Sequence, residues 1–144
     1  MAQTIHFQII TPERVVFSEE IDQVSIMTTT GEITVFPQHI PLVSVLQTGE
    51  LRYKKGGIEY PLAVSGGFVE VRPDNTVVIL ADTAEHAAEI NLERAQTARD
   101  KALQIMQDAV KHNDVDYVAL QAALERATTR LKIGNKYRNI HLPN

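Results

Sequence analysis

The apolar pattern of this chain changes period once, and that change limits what the chain can fold into. From residue 3 to 82, apolar and polar side chains alternate: Ile5, Phe7 and Ile9 against His6 and Gln8, then Val24 and Ile26 against Gln23 and Ser25. "EITVF", "ELRY", "IEYPLAV", "GFVEV" and "TVVILA" follow, separated by "TTTGE", "PQHIP", "QTGE", "KKGG", "SGG" and "RPDN". Short alternating runs with close turn signals predict an antiparallel β-sandwich or flattened barrel. Five of the six prolines, all but Pro143, lie in this part, where they can edge strands and fix turns.

After Asp82 the texture becomes helical. No Gly or Pro occurs from Thr83 to about Lys111, and Ala95, Ala98, Ala102, Ile105 and Ala109 recur at alternating three- and four-residue spacings. "KHND" breaks the pattern and offers Asn113 or Asp114 as the cap of a second helix. There Tyr117, Leu120, Leu124, Ala127 and Leu131 repeat the spacing, and Gly134-Asn135 offers a C-cap. Two amphipathic helices with a short link predict an antiparallel hairpin. The expected class is α+β: a β-sandwich over residues 1–82, then a helical hairpin with a tail over 83–144.

The charge follows the same division. Residues 1–82 carry 5 basic and 10 acidic side chains, residues 83–125 carry 4 and 8, and residues 126–144 carry 5 and 0. Arg126, Arg130, Lys132, Lys136 and Arg138 thus stand together in a chain of formal charge −4. Cations favour a helix C-terminus, which accounts for Lys132 and Arg130. Five without a counter-charge point further, to an acidic partner surface.

Composition excludes several classes. The chain has 144 residues, enough for one compact domain with an appendage, and 44% of them are hydrophobic, enough for a real core. It has no cysteine, so no disulfide framework, thiolate metal site or thiol nucleophile. "MAQTIHFQIITPER" lacks the basic and apolar regions of a signal peptide. No run approaches the roughly 18 apolar residues of a membrane span. The expectation is a soluble protein, or one peripheral on something else.

Enzyme chemistry finds little purchase. There is no P-loop, and Ser65-Gly66-Gly67 lacks the Gly-x-Ser-x-Gly frame of a nucleophile elbow. His6, His39, His86, His112 and His141 show no zinc-ligand spacing, so no metal is expected. Glu85, His86 and Glu89 could share a helix face, but an exposed polar face explains them as well. "RPDN" is a hairpin turn before it is a site. Nucleic acid is not an expected partner, because the basic tail offers only Tyr137 for stacking.

The order "GEITVFPQHIPLV", "LAVSGGFVEV", "TVVILADTAE" and then "NDVDYVALQAALERA" resembles the epsilon subunit of rotary F-type ATP synthases, across essentially the whole chain. The resemblance implies a β-sandwich followed by a helical hairpin. It implies a non-catalytic subunit of a complex that couples proton movement to ATP synthesis and hydrolysis. The sandwich would sit in the central stalk, at the foot of the gamma subunit and against the ring of c subunits. Glu32 falls where the family meets the polar loops of the c-ring, and His39 where it meets gamma. Without the family, Glu32 is an exposed turn carboxylate and His39 a residue pinned between Pro37 and Pro41. The complex would lie at the cytoplasmic face of a bacterial membrane, or at the thylakoid for a plastid-encoded chain, with membrane association only through the complex. The coupling ion, H⁺ or Na⁺, is a property of the c subunits.

The resemblance also assigns the tail. In the family the hairpin can open, its second helix rising along gamma toward the alpha–beta ring to meet an acidic beta loop and block hydrolysis. Arg126, Arg130, Lys132, Lys136 and Arg138 would carry that contact. Some members bind ATP on the folded hairpin through Ile/Leu-Asp-x-x-Arg-Ala and two arginines of the second helix. Here "INLERA" matches at Ile90, Arg94 and Ala95, but Asn91 stands where Asp is expected; Arg126 and Arg130 lie four apart, on one helix face. A neutral acceptor is weaker than a carboxylate, so weak, millimolar-class ATP binding is expected. No cofactor is required. The alternative function is a stand-alone nucleotide-sensing module.

Overall fold

The computed structural model describes residues 3–109 and 116–138. Ten strands come first: β1 (Ile5–Ile10), β2 (Val15–Ile21), β3 (Gln23–Thr28), β4 (Gly31–Val35), β5 (Leu42–Val45), β6 (Gly49–Lys55), β7 (Ile58–Ser65), β8 (Phe68–Val71), β9 (Thr76–Leu80) and β10 (Thr83–His86). They form two five-stranded sheets, ordered β2-β1-β9-β8-β5 and β10-β7-β6-β3-β4. The alternation in β1 works as expected: Ile5, Phe7 and Ile9 are buried while His6, Gln8 and Ile10 are not. Across the sandwich they meet Ile21, Val24, Ile26, Leu51, Tyr53, Leu62, Val69 and Ile79 in one core. Each such side chain contributes about 1.5–3 kcal/mol by leaving water. Within the antiparallel plan one pair differs, since β1 runs parallel to β9, with Ile10 opposite Leu80. Strands β2 and β5 carry weaker alternation and were not legible as separate runs.

Two turns deserve a physical reason. "SGG" is the β7–β8 connection, with Gly66 at φ 62° and Gly67 at φ 98°. A Cβ on Gly67 would fall 1.7 Å from the Leu80 carbonyl oxygen, so only glycine lets this turn cross under β9. "RPDN" is the β8–β9 hairpin turn: Arg72 N–H donates to the Thr76 carbonyl at 2.8 Å, and Thr76 N–H to Asp74 Oδ1 at 3.2 Å.

The helical part begins later than its composition predicts. Thr83–His86 is not the first helical turn but an edge strand, paired antiparallel with Leu62–Ser65 of β7. Its period is two: Ala84 and His86 turn to the core side, where Tyr53 Oη and His86 Nε2 lie 3.2 Å apart, while Glu85 turns outward. Glu85 and His86 therefore lie on opposite faces of a strand rather than sharing a helix face. A lack of Gly and Pro permits helix without requiring it, and pairing with an open β7 edge decides the outcome. A short 3₁₀ turn, Ala87–Glu89, leads to helix α1 (Leu92–Ala109) and then α2 (Tyr117–Lys136). Asp116 caps α2, its Oδ1 accepting from Ala119 N–H at 3.1 Å. Asn113 and Asp114 lie outside the described residues.

Gly134 does not end α2, which runs through it to Lys136 with Tyr137 at the C-cap. A Cβ on Gly134 would sit 2.5 Å from Leu92 Cδ2 and 3.2 Å from Ile90 Cγ2. The glycine is thus a point of close approach between α2 and the start of α1. The α1 seam is also rotated from the expected alanines: Ala95 and Ala102 are buried, Ala98 and Ile105 are exposed, and Leu103 and Met106 are half-buried. On α2, Ala127, Leu131 and Ile133 are buried.

Helix α2 lies across the outer face of the second sheet in a simple register. Glu85 of β10 is the cross-strand partner of Ala63 in β7, which is in turn the partner of Glu50 in β6. Above this row come Arg130 (3.0 Å to Glu85), Ile133 (packed with Ala63 and Ala87) and Lys136 (2.9 Å to Glu50). Three helical residues advance about 4.5 Å, close to the ~4.8 Å between strands, so every third residue meets the next strand.

Candidate functional site

Glu32 is the second residue of the edge strand β4, after Gly31, and stands opposite Met27. Its side chain is 42% exposed, and Oε1 accepts from Arg52 Nη2 at 2.6 Å. Arg52 stands among three carboxylates, with Nε 3.5 Å from Glu59 and Nη1 3.8 Å from Glu50 Oε2. That same Glu50 oxygen accepts from Lys136 Nζ, while Glu50 Oε1 accepts from the Tyr137 hydroxyl. The Lys136 ammonium also lies 5.1 Å from the Tyr137 ring centroid. An open groove of about 370 Å³ joins these groups, lined among others by Glu32, Glu50, Arg52, Lys132 and Lys136. Sequence spacing cannot show this continuity, since Glu32, Arg52, Glu50 and Lys136 come from three elements.

His39 lies beyond the other end of β4, so the structure does not bring it to Glu32. Its N–H donates to the Phe36 carbonyl at 3.2 Å, closing a turn with Pro37 second and Gln38, at φ 66°, third. This is the type II pattern, in which glycine usually holds the third place. Gln38 tolerates it with its N–H donating to Asn75 Oδ1 at 2.5 Å, which ties the loop to the β8–β9 turn. The His39 ring folds back, Nδ1 lying 2.6 Å from the Ile40 carbonyl oxygen. Phe36 and Ile40 on either side are exposed.

A larger feature joins strands that lie far apart in the sequence. On the outer face of the first sheet, Val15, Ile10, Leu80, Phe68 and Val45 are successive cross-strand partners spanning all five strands. Val15 is 58% exposed, Leu80 48%, Phe68 52% and Val45 47%, with Val43 alongside at 70%. Four strand spacings make this row about 19 Å wide. Among the described residues no helix covers this face, and a contiguous apolar row of this width is suited to a binding partner. The signal in the sequence was faint: "ILA" and "SV" put apolar residues on both faces of short strands.

The five tail cations separate into two groups. Arg130 and Lys136 hold Glu85 and Glu50, so the sandwich supplies part of the counter-charge that the tail itself lacks. Among the described residues, Arg126, Lys132 and Arg138 make no ion pair. Arg126 and Arg130 border a crevice between α2 and the sheet, with Thr48, Ser65, Thr83 and Thr129. It has room for about one water molecule, some 10 Å³, and not for a phosphate chain. Ile90, Asn91, Arg94 and Ala95 do not line it. Asn91 caps α1, its Oδ1 accepting from Arg94 N–H at 3.0 Å; Ile90 packs with Ala63, Ala87 and Ile133; Ala95 is buried and Arg94 exposed. Among the described residues, the two halves of the expected ATP site do not line this crevice together. Among the described residues, no three His, Asp or Glu side chains converge as for a metal ion, and no helix is long and apolar enough to cross a membrane.

Comparison with known proteins follows the same two parts. The family model for the ATP synthase delta/epsilon chain β-sandwich domain matches residues 4–87, and that for its long α-helix domain matches residues 88–134. The ATP synthase epsilon chain of Herpetosiphon aurantiacus is 49% identical over 135 residues, covering 94% of this chain and 97% of its own. That of Halalkalibacterium halodurans is 43% identical over 133 residues, covering 92% and 98%. Among solved structures, a chain of the Euglena gracilis mitochondrial ATP synthase (OSCP/F1/c-ring, rotational state 1) superposes with TM-score 0.63 at 23% identity, over 94% of this chain and 79% of that one. A chain of the Tetrahymena thermophila mitochondrial ATP synthase central stalk and c-ring gives 0.57 at 15% identity, over 93% and 96%. At those identities the likeness is one of fold. With both domain models matched in order, and bacterial relatives similar along nearly their whole length, this chain belongs to the ATP synthase delta/epsilon family.

Proposed function

We propose that this chain is a non-catalytic rotor subunit of the ATP synthase central stalk, coupling gamma to the c-ring during proton-driven ATP synthesis. The observation that carries the reading is the uncovered apolar row of Val15, Ile10, Leu80, Phe68 and Val45, a face suited to a permanent partner. The occupant is gamma, with His39 and its exposed neighbours Phe36 and Ile40 at the margin of the same contact. Glu32, on the free edge of β4, faces the polar loops of the c-ring. The sandwich transmits torque as a stiff body, and membrane association at the cytoplasmic face comes only through the complex.

The hairpin is the regulatory part. When it opens, α2 brings Arg126, Arg130, Lys132, Lys136 and Arg138 to an acidic beta loop in the alpha–beta ring and blocks hydrolysis. Pairing of Arg130 and Lys136 with Glu85 and Glu50 supports a reversible closed state, because the cations are well exposed and solvated pairs contribute only about 0.2–1 kcal/mol each. ATP is a weak regulatory ligand: its phosphates meet Arg126 and Arg130 from outside the narrow crevice, with Ile90, Asn91, Arg94 and Ala95 at the adjoining helix start. The alternative, a stand-alone nucleotide-sensing module, would rest on Arg126 and Arg130 alone, since the crevice they border is too small for a phosphate chain.

Co-purification tests the first reading. Tagged chain should recover gamma and the c-ring, and Phe68→Asp with Leu80→Asp should lose gamma while keeping its own circular dichroism spectrum. Unchanged recovery of gamma by that double variant overturns the assignment of the apolar row. A sensor working alone would recover neither partner.

A further inference from the structure

Four side chains link the edge strand that carries Glu32 to the last turn of α2. Arg52 bridges Glu32 at 2.6 Å and reaches toward Glu50 Oε2 at 3.8 Å; that oxygen is already held by Lys136 at 2.9 Å. The other Glu50 oxygen takes the Tyr137 hydroxyl, so Glu50 is the latch for the end of the hairpin. Glu50 is the most enclosed of these carboxylates, with its side chain 17% exposed against 42% for Glu32 and 45% for Glu59. Two cations therefore compete for one oxygen, and Glu32 holds one of them back.

We infer that Glu32, Arg52 and Glu50 form a relay by which engagement of Glu32 loosens the hairpin. A donor surface that binds Glu32 takes it from Arg52. The guanidinium then closes on Glu50 Oε2, lowers the negative potential there and repels the Lys136 ammonium across a shared acceptor. The closed hairpin loses part of its latch, and α2 opens more often. The geometry favours this direction: among the described residues the only further carboxylate paired with Arg52 is Glu59, already 3.5 Å from its Nε. The relay rests on the reading of Glu32 as the c-ring contact only for the identity of the donor surface. Its internal part is a property of the free chain.

The chain contains no cysteine, so an Ala87→Cys background gives a single thiol beneath α2, where Ala87 is 7% exposed. The rate of thiol labelling in the full-length protein then reports how often the hairpin lifts. Glu50→Gln should raise that rate about two- to five-fold, the range of an exposed or half-exposed ion pair. Glu32→Gln should raise it about two-fold, and adding Arg52→Met should return it to the parent rate. No change with Glu50→Gln overturns the latch. A Glu32→Gln effect that persists without Arg52, or no Glu32→Gln effect at all, overturns the relay. Purified c-ring should accelerate labelling of the parent but not of Glu32→Gln. If the substitutions behave as stated and the c-ring changes nothing, the relay stands and the assignment of Glu32 to the c-ring falls.

Discussion

Gly134 shows how one residue type carries two physical meanings. In the sequence it reads as a stop, because glycine is common just past helix ends. In the fold it is interior to α2, where its missing side chain admits Leu92 and Ile90. Gly134→Ala should therefore act on the two hairpin states differently. The gain in helix propensity, about 1 kcal/mol, applies whether the hairpin is open or closed. The clash applies only when it is closed, at about 1–3 kcal/mol for overpacking. Helicity by circular dichroism should hold or rise while labelling at an Ala87→Cys site accelerates. Unchanged labelling would mean that the close approach is not what fixes the closed state. Asn91 is a second such case: the family resemblance would make it a ligand residue, and in the fold it is the N-cap of α1. Both Asn and Asp cap well, so Asn91→Asp should keep α1 intact. If ATP binds here, isothermal titration should show affinity tightened several-fold by the added charge; no heat from either protein removes the ATP site.

At the scale of elements, the sandwich strands were legible because the core needs alternation, and β1, β3 and β6 supply it plainly. The edge strands were less so, since a strand with one neighbour and a solvated face tolerates almost any pattern, as Thr83–His86 illustrates. The docking of α2 was not legible at all. It depends on a helical rise matching a strand spacing, and on Glu85, Ala63 and Glu50 becoming a row only after the sheet pairs. The docking has a pH signature. The hydrogen bond to Glu50 raises the Lys136 ammonium above its ordinary 10.5. Burial first, then the bond to Glu50, raises the Tyr137 phenol above its ordinary 10.0. Both groups favour the closed state in their protonated forms, so their contribution is complete below the ordinary values and is lost as pH rises through the raised ones. Hairpin opening should be flat with pH through neutrality and increase above about pH 10, with Lys136→Met and Tyr137→Phe together flattening the rise. The same pairing divides the tail by sign of effect. Lys132→Ala, which breaks no pair, should weaken inhibition of hydrolysis in the complex. Lys136→Met should strengthen it if loss of the latch outweighs loss of one charge at the beta loop, and equal relief from both would show that Lys136 acts mainly as a brake contact.

For the whole molecule, the core decides where the chain can be divided. Among the described residues, the sandwich core draws on Ile5 to Ala81, with Ala84 packed against it, and on nothing from α1 or α2. A chain ending at Ile90 keeps every strand and uncovers only the small patch around Ala63 and Ala87. It should fold, stay monomeric and melt within a few degrees of the full chain. A chain ending at Asp82 looks equivalent in sequence but loses β10. That leaves the apolar β7 with an open edge, a template for pairing with another chain, and strips the Tyr53 hydroxyl of His86. The shorter product should melt lower and associate with itself, as sedimentation would show. The Ile90 product should still assemble with gamma and the c-ring and support coupled synthesis, because Glu32, His39 and the apolar row all precede residue 90. Hydrolysis by the complex that carries it should rise, since the basic helix end is gone. If hydrolysis is unchanged at every ATP concentration and driving force while assembly is intact, the hairpin is not a brake in this protein, and its docked register serves stability alone.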